Sequence, residues 1–442
     1  MSNVRRKVNK SSAKKPKTDE IKMQSYKARV NKTIIKPPKT NAKRSPKKTD
    51  KKIVINKDDK VKKFYNLKII QFKSNKFFNN KKFIISSIVL FIIATILILS
   101  FSTPTGIPET ISNSLVSLSS GSDFPVYPIG GKIITSKSLS TNIFTLTDTN
   151  FLGYSKNGGE IINIQHGFDN PSVSFSPARN LIYNNKNKKY IITNFSSTLY
   201  SGELENEILL GTISRSGHYA FATKSTGFET QVEVYNKNYK LKYKWFSANE
   251  PVSNILLSNN GKRLAVVTSS ATNGEIKSTL YLLKYNSADP YFKYELSDYV
   301  YELKSYQNGF VAILSDKAIY YSWNSGEKLS KTFEDEKISF FKMNPDGDNI
   351  IVTNNGIITN RYKLYYFKKN KEIFSFEFNG FITDLSINDK KIYLLSNKKI
   401  IVLNKTGNQI NLFELDNIVN YINLSNSKLI YINNESTISK LS

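Results

Sequence analysis

The sequence predicts an all-β fold: a β-propeller of about eight, alternatively seven, four-stranded blades, preceded by one transmembrane helix and a disordered basic tail. Three observations predict it. A strand–turn–strand unit recurs about every forty residues through the C-terminal part of the chain. A run of nineteen residues without a charge, Phe83 to Phe101, precedes that part. Of the net charge of +29, most lies ahead of the run.

The N-terminal segment, 1–82, carries 28 of the 64 Lys and Arg but only 5 of the 35 carboxylates. Its first sixty residues are dominated by Lys, Ser, Thr, Asn and Pro, with Tyr26 as the one aromatic. Like charges repel and there is little apolar surface to bury, so this segment reads as a solvated cytoplasmic tail. From Val61 to Phe78 aromatic residues alternate with lysines, which suits contact with anionic lipid headgroups. No base-stacking platform accompanies the charge, so nucleic acid is an unlikely partner.

The segment 83–101 reads FIISSIVLFIIATILILSF. Nineteen helical residues span about 28 Å, close to the roughly 30 Å hydrocarbon core of a bilayer. Lys81 and Lys82 abut its N-terminal end, and the next charge beyond it is Glu109. The positive-inside rule then makes this a single-pass cell-membrane protein, N-terminus cytoplasmic and C-terminal domain extracellular. A cleavable signal peptide is disfavoured by the length of the apolar run and of the segment before it. Residues 102–124 are rich in Ser, Thr, Gly and Pro and read as a stalk.

The remaining residues, 125–442, hold the repeat. Instances are SVSFSPARNLIYN (172–184), GTISRSGHYAFAT (211–223), ILLSNNGKRLAVVT (255–268), ELKSYQNGFVAILS (302–315), FFKMNPDGDNIIVT (340–353), DLSINDKKIYLLS (384–396) and YINLSNSKLIYIN (421–433). Gly217, Gly261, Gly309 and Gly347 sit at the turns, where a positive φ is expected. A second hairpin follows the first, as in 398–415, so each unit has four strands, the period of a propeller blade. A further unit opens the domain at 132–164, and a three-stranded unit closes it at 418–442. Residues 124–129 are the candidate strand that completes the ring.

The Gly-turn hairpins in NPDGDNIIV and SNNGKRLAV resemble those of TolB-type and quinoprotein-like propellers. The layout as a whole resembles a membrane-anchored family of unknown function, DUF5711, found in low-GC bacteria. The residues carrying that resemblance are Phe124-Pro125-Val126, Tyr154 with Gly158-Gly159, His166-Gly167, Ser214, Gly217, Tyr243, Trp245 and Gly261-Lys262. The resemblance implies a fold and a layout, and no activity.

Catalytic chemistry is sparse. The chain has no cysteine, which excludes disulfides, thiolate metal sites and a thiol nucleophile. Its two histidines, His166 and His218, lack partners at metal-ligand spacing and read as surface or turn residues. Asn344, Asp346 and Asp348 around Gly347 read as a hairpin turn and not a calcium loop. Glu334, Asp335 and Glu336 read as a solvated connection. The aromatics Tyr235, Tyr239, Tyr243, Trp245, Phe246 and Tyr281, Tyr285, Tyr291, Phe292, Tyr294 read mainly as packing between blades. No catalytic, metal or cofactor-binding residue is therefore assigned. The expected function is a binding, scaffold or sensing module for an envelope protein or cell-wall polymer. The alternative is an extracytoplasmic enzyme on cell-wall glycans, its site assembled around the channel mouth.

Overall fold

The structure is a computed structural model that describes residues 81–102 and 107–441, apart from 357–359 and 426–429. Of the tail expected at 1–82, residues 1–80 lie outside the described residues. Two helices come first: α1, Lys81–Ser102, and α2, Ile107–Val116. Among the described residues no helix is long and apolar enough to cross a membrane.

Eight antiparallel sheets follow, seven of four strands and one of three. They are blades 1 (133–165), 2 (171–203), 3 (208–247), 4 (252–296), 5 (302–332), 6 (337–379), 7 (384–414) and 8 (421–441). The ring has eight blades, and the seven-blade alternative falls away. Within each blade the strands are hydrogen-bonded in sequence order, so every connection is a hairpin. Second strands such as YAFAT (Tyr219–Thr223) are buried along their whole length, because both faces pack on neighbouring blades. The outermost strand of blade 6, KEIFSFEFN (Lys371–Asn379), alternates exposed and half-buried side chains, as a strand with one wet face must.

There is no central core. Apolar burial falls into eight clusters, and each lies in the seam between two adjacent blades. The seam between blades 8 and 1 holds Val126, Ile133, Ile143, Leu152, Tyr154, Tyr431 and Ile438, with Phe124 packed against it. Blade 8 gains its fourth partner from the other end of the domain. Val126 N–H donates to Ile438 O at 2.9 Å, and Ile438 N–H donates back to Val126 O at 3.0 Å. The closing segment thus falls within residues 124–129, as expected.

Antiparallel pairing gives the disc two distinct faces. The turns joining first to second and third to fourth strands lie on one, here the turn face. The loops joining second to third strands, and blade to blade, lie on the other, the link face. On the turn face Gly217, Gly261 and Gly347 have φ of +78°, +65° and +94°, as the turns require. Gly309 differs: it opens a strand at ordinary φ, and an added Cβ would meet Tyr321 O at 2.0 Å. Close approach, not turn conformation, requires glycine there.

Residues 102–124, expected as a free stalk, are built into the domain from α2 onward. The helix lies on the turn face. Asn113 caps blade 2 twice: its Nδ2 donates to Ala178 O at 3.0 Å and its Oδ1 accepts from Phe195 N–H at 3.0 Å. Arg179 forks onto Glu109, with Nε and Nη2 each 2.7 Å from a carboxylate oxygen, and its Nη1 donates to Lys237 O at 2.7 Å. Those two side chains are only 7% and 11% exposed. The run continues over blade 1, where Asn142 Nδ2 donates to Ser117 Oγ and Ser155 Oγ to Ser119 O. The composition of a linker misled here because its few apolar and polar anchors are spaced for one helix face.

Two outcomes test this account. Ile438 is fully buried, so I438A should cost about 2–5 kcal/mol in denaturant unfolding; a loss under about 1 kcal/mol would show that the 8–1 seam does not hold the ring. An added Cβ at Gly261 would meet the His218 ring of blade 3 at 2.4 Å. G261A should therefore destabilise by about 1–3 kcal/mol, and H218A in the same chain should recover the steric share while the φ strain remains. Additive losses would refute that contact.

Candidate functional site

The first strand of each blade is innermost. First strands of neighbouring blades touch at six of the eight seams, including Ile133–Leu139 of blade 1 against Tyr421–Leu424 of blade 8. Each is paired on one side only, so its open edge faces the axis. Along the blade 8–1 seam the lining is polar. Ser136 Oγ donates to Asn433 Oδ1 at 2.8 Å, and Asn423 Nδ2 donates to Ser136 Oγ at 2.9 Å.

Three lysines stand on these strands: Lys137 in blade 1, Lys304 in blade 5 and Lys342 in blade 6. In an eight-fold ring blades 1 and 5 are opposite. Lys304 and Lys342 each have a carboxylate: Lys304 Nζ lies 3.5 Å from Glu302 Oε1, and Lys342 Nζ lies 3.0 Å from Asp384 Oδ1. Asp384 also accepts from Ile422 N–H at 3.1 Å. Lys137 has no carboxylate partner among the described residues. The Lys304 charge, then burial, then Lys342 push its ammonium down to about 7, with Glu302 opposing. A cavity of about 560 Å³ lies between blades 5 and 6 at the link face, with Tyr301, Glu302, Lys337 and Phe340 among its walls.

The residues singled out from sequence scatter over the disc. His166 is buried in the blade 1–2 link, not at the surface. Its Nε2–H donates to Thr147 O at 3.3 Å and its Nδ1 accepts from Phe168 N–H at 3.1 Å; burial holds it below the ordinary histidine value. His218 lies in the blade 3 turn, 2.9 Å from Ser216 Oγ. Asn344 Oδ1 accepts from the N–H groups of Asp346 and Asp348, a turn-capping arrangement. The Asp348 carboxylate is engaged by Tyr366 and Lys405. Of the Glu334–Glu336 run, Glu336 is held by Thr353 and Tyr365, and the other two are exposed. The aromatic groups are packing: Tyr235 stacks on Tyr219, Tyr239 on Tyr200, Tyr243 on Tyr285 and Trp245 packs against Tyr281. Phe246 instead lies exposed beside Phe228.

Sequence reasoning missed the axial lysines and the buried Glu233, which accepts from Gln231 and Tyr235 and pairs with Lys244 at 2.7 Å. A signal for the lysines existed. Each falls in the first strand of its repeat, where an innermost position was predictable.

No curated protein matches this chain. Among solved structures it is similar to Sqt1 of Saccharomyces cerevisiae, with a TM-score of 0.53 and 12% identity over 73% of this chain and 100% of that one. BamB of Moraxella catarrhalis matches with a TM-score of 0.46 and 9% identity over 72% and 98%. The β-propeller domain of Cps50 (Swd1) from Myceliophteria thermophila matches with 0.42 and 8% over 71% and 98%. The likeness to Sqt1 supports the propeller fold and nothing finer. Residues 130–441 match the family of unknown function DUF5711, and with that match covering most of its length, the chain belongs to that family.

Proposed function

We propose that this protein is a membrane-anchored binding module. A helix over 83–101 holds the propeller outside the cell, turn face toward the bilayer. The link face is left free for an envelope protein or cell-wall polymer. One observation carries the reading: α2 begins four residues after α1 ends and is fastened to the turn face. An extended link of that length reaches only about 14–18 Å, so whatever holds α1 lies against that face.

Apolar surface supports this orientation, whereas exposed charge is mixed on both faces. The turn face exposes Arg215, Lys240, Lys262, Lys369 and Lys390 with Asp289, Asp346 and Asp389. The link face exposes Asp148, Asp169, Glu205, Glu229, Glu334 and Asp335 with Lys132, Lys186, Lys188, Lys224, Lys337 and Lys398. Ile111 and Leu115 of α2, with Leu118 in the turn that follows, are 54%, 61% and 67% accessible and form an exposed apolar stripe. Such a stripe suits a lipid surface. Binding is favoured over glycan hydrolysis because the axial carboxylates Glu302 and Asp384 are each held by a lysine. A hydrolase needs two carboxyl groups free to exchange protons with substrate.

The absence of native cysteine makes the test direct. In membranes carrying a lipid-borne quencher, a dye on K262C should be quenched and a dye on E334C should not. In intact cells both should react with a membrane-impermeant maleimide. Equal quenching at the two sites would overturn the orientation. Labelling only after permeabilisation would overturn the extracellular placement.

A further inference from the structure

The outermost strand of each blade leaves one backbone edge open, and blade 6 has the longest. Its Lys371–Asn379 strand has nine residues, against five to seven in the other four-stranded blades. Ile373 has no residue opposite it, a bulge near the start; from Phe374 to Asn379 the pairing with Arg361–Tyr366 is regular. Gly380 N–H donates to Asn360 O at 2.8 Å in the same register. Antiparallel bonding alternates from there, so Phe374, Phe376 and Phe378 turn their main-chain groups inward. Ser375, Glu377 and Asn379 turn theirs outward, three N–H donors and three C=O acceptors without a partner among the described residues.

An open edge templates another strand, and the side chains beside this one favour it. Phe374, Phe376 and Phe378 lie on the face toward blade 7, packed against the seam yet only half-buried. On the facing wall Leu412 of blade 7 stands opposite Ile401, which packs on the same seam, and is 40% exposed. The carboxylates of the strand are already held, Glu372 by Lys331 and Glu377 by Arg361. At the turn-face end Lys368, Lys369 and Lys371 are exposed and have no carboxylate partner among the described residues.

We propose that this edge accepts a fifth strand of blade 6 from a partner protein. The segment is extended and antiparallel to Lys371–Asn379. Its alternate apolar residues extend the row of Phe374, Phe376 and Phe378, and its C-terminal end is acidic, beside the three lysines. A polypeptide backbone repeats donors and acceptors at strand spacing, which a glycan or a lipid does not. The unpaired lysines select the acidic end and with it the direction of the segment. The site needs only the ring, so it stands or falls independently of the membrane reading.

The test uses the full-length protein in neutral detergent and a dye-labelled synthetic peptide of alternating threonine and valine that ends in a run of glutamates. Binding is read by fluorescence anisotropy. In the proposed pairing, peptide residues opposite Ser375, Glu377 and Asn379 aim their N–H groups at the strand and their side chains away from the phenylalanine face. The valines take the phenylalanine face, so the threonine N–H groups are the ones that bond. N-methylation at the threonines should weaken binding by about tenfold or more, and N-methylation at the valines by no more than about twofold. The two methylated peptides carry the same charge, so adsorption to the basic tail cancels in the comparison. S375P removes an outward donor and no bond within the blade, and should weaken binding of the unmodified peptide. The peptide comparison is made on the unaltered chain and does not depend on how S375P folds. Equal affinity of the two methylated peptides would overturn the proposal, as would no binding by the unmodified peptide beyond that of the threonine-methylated one. So would self-association of the protein that S375P abolishes, because a second copy would then occupy the edge.

Discussion

Eight seams, not one core, hold this domain together, and a ring of seams is only as sound as its closure. Each sheet buries its two faces against the blades on either side, so a blade with a missing neighbour would expose a whole apolar face. The seam between blades 8 and 1 is where the chain's two ends must meet. It is made by Val126 bridging Ile438 and by Phe124 packing beside Tyr431. The hydroxyl of Tyr431 donates to Thr141 O at 2.7 Å, and Ser425 Oγ reaches Ser140 O. With that seam formed, the other seven are ordinary nearest-neighbour contacts between consecutive segments. The fold thus couples residues some three hundred positions apart through a handful of contacts, and everything axial depends on them.

Closure also decides what meets at the centre. First strands are constrained by their own hairpins to lie innermost, and their side chains converge whatever their chemistry. Most blades place hydroxyl, amide or apolar groups there. Blades 1, 5 and 6 place ammonium groups, and the opposition of blades 1 and 5 brings Lys137 within the field of Lys304. The ionisation of Lys137 is thus a property of the ring rather than of its own strand.

The segment between α1 and the first blade shows how few contacts convert a linker into structure. A buried fork between Arg179 and Glu109, with the two-way capping by Asn113, orders α2 on the turn face. Glu109 is the first charge after the apolar run, and Arg179 lies in the blade 2 turn, seventy residues away. The pairing gives α2 a defined place on the turn face.

Much of the architecture could be read from local pattern. Seven strand–turn–strand motifs, from Ser172–Asn184 to Tyr421–Asn433, coincide with first-strand hairpins, because turn chemistry and alternating or continuous apolar runs are local properties. Scaffold roles for the interleaved aromatics followed from the same pattern. The terminal three-stranded unit and the closing segment at 124–129 followed from counting strands. The remainder depended on contacts distant in sequence. Composition could not separate a stalk from a docked helix, since Arg179, Glu109's partner, is supplied by another blade. Nor could it reveal that His166 is buried or that Gly309 serves close packing. The repeat predicted about eight sheets, with seven as the alternative, and what each is made of. Only closing the ring decided which side chains share the axis, because proximity across a channel is set by blade number and strand order and leaves no trace in neighbouring residues.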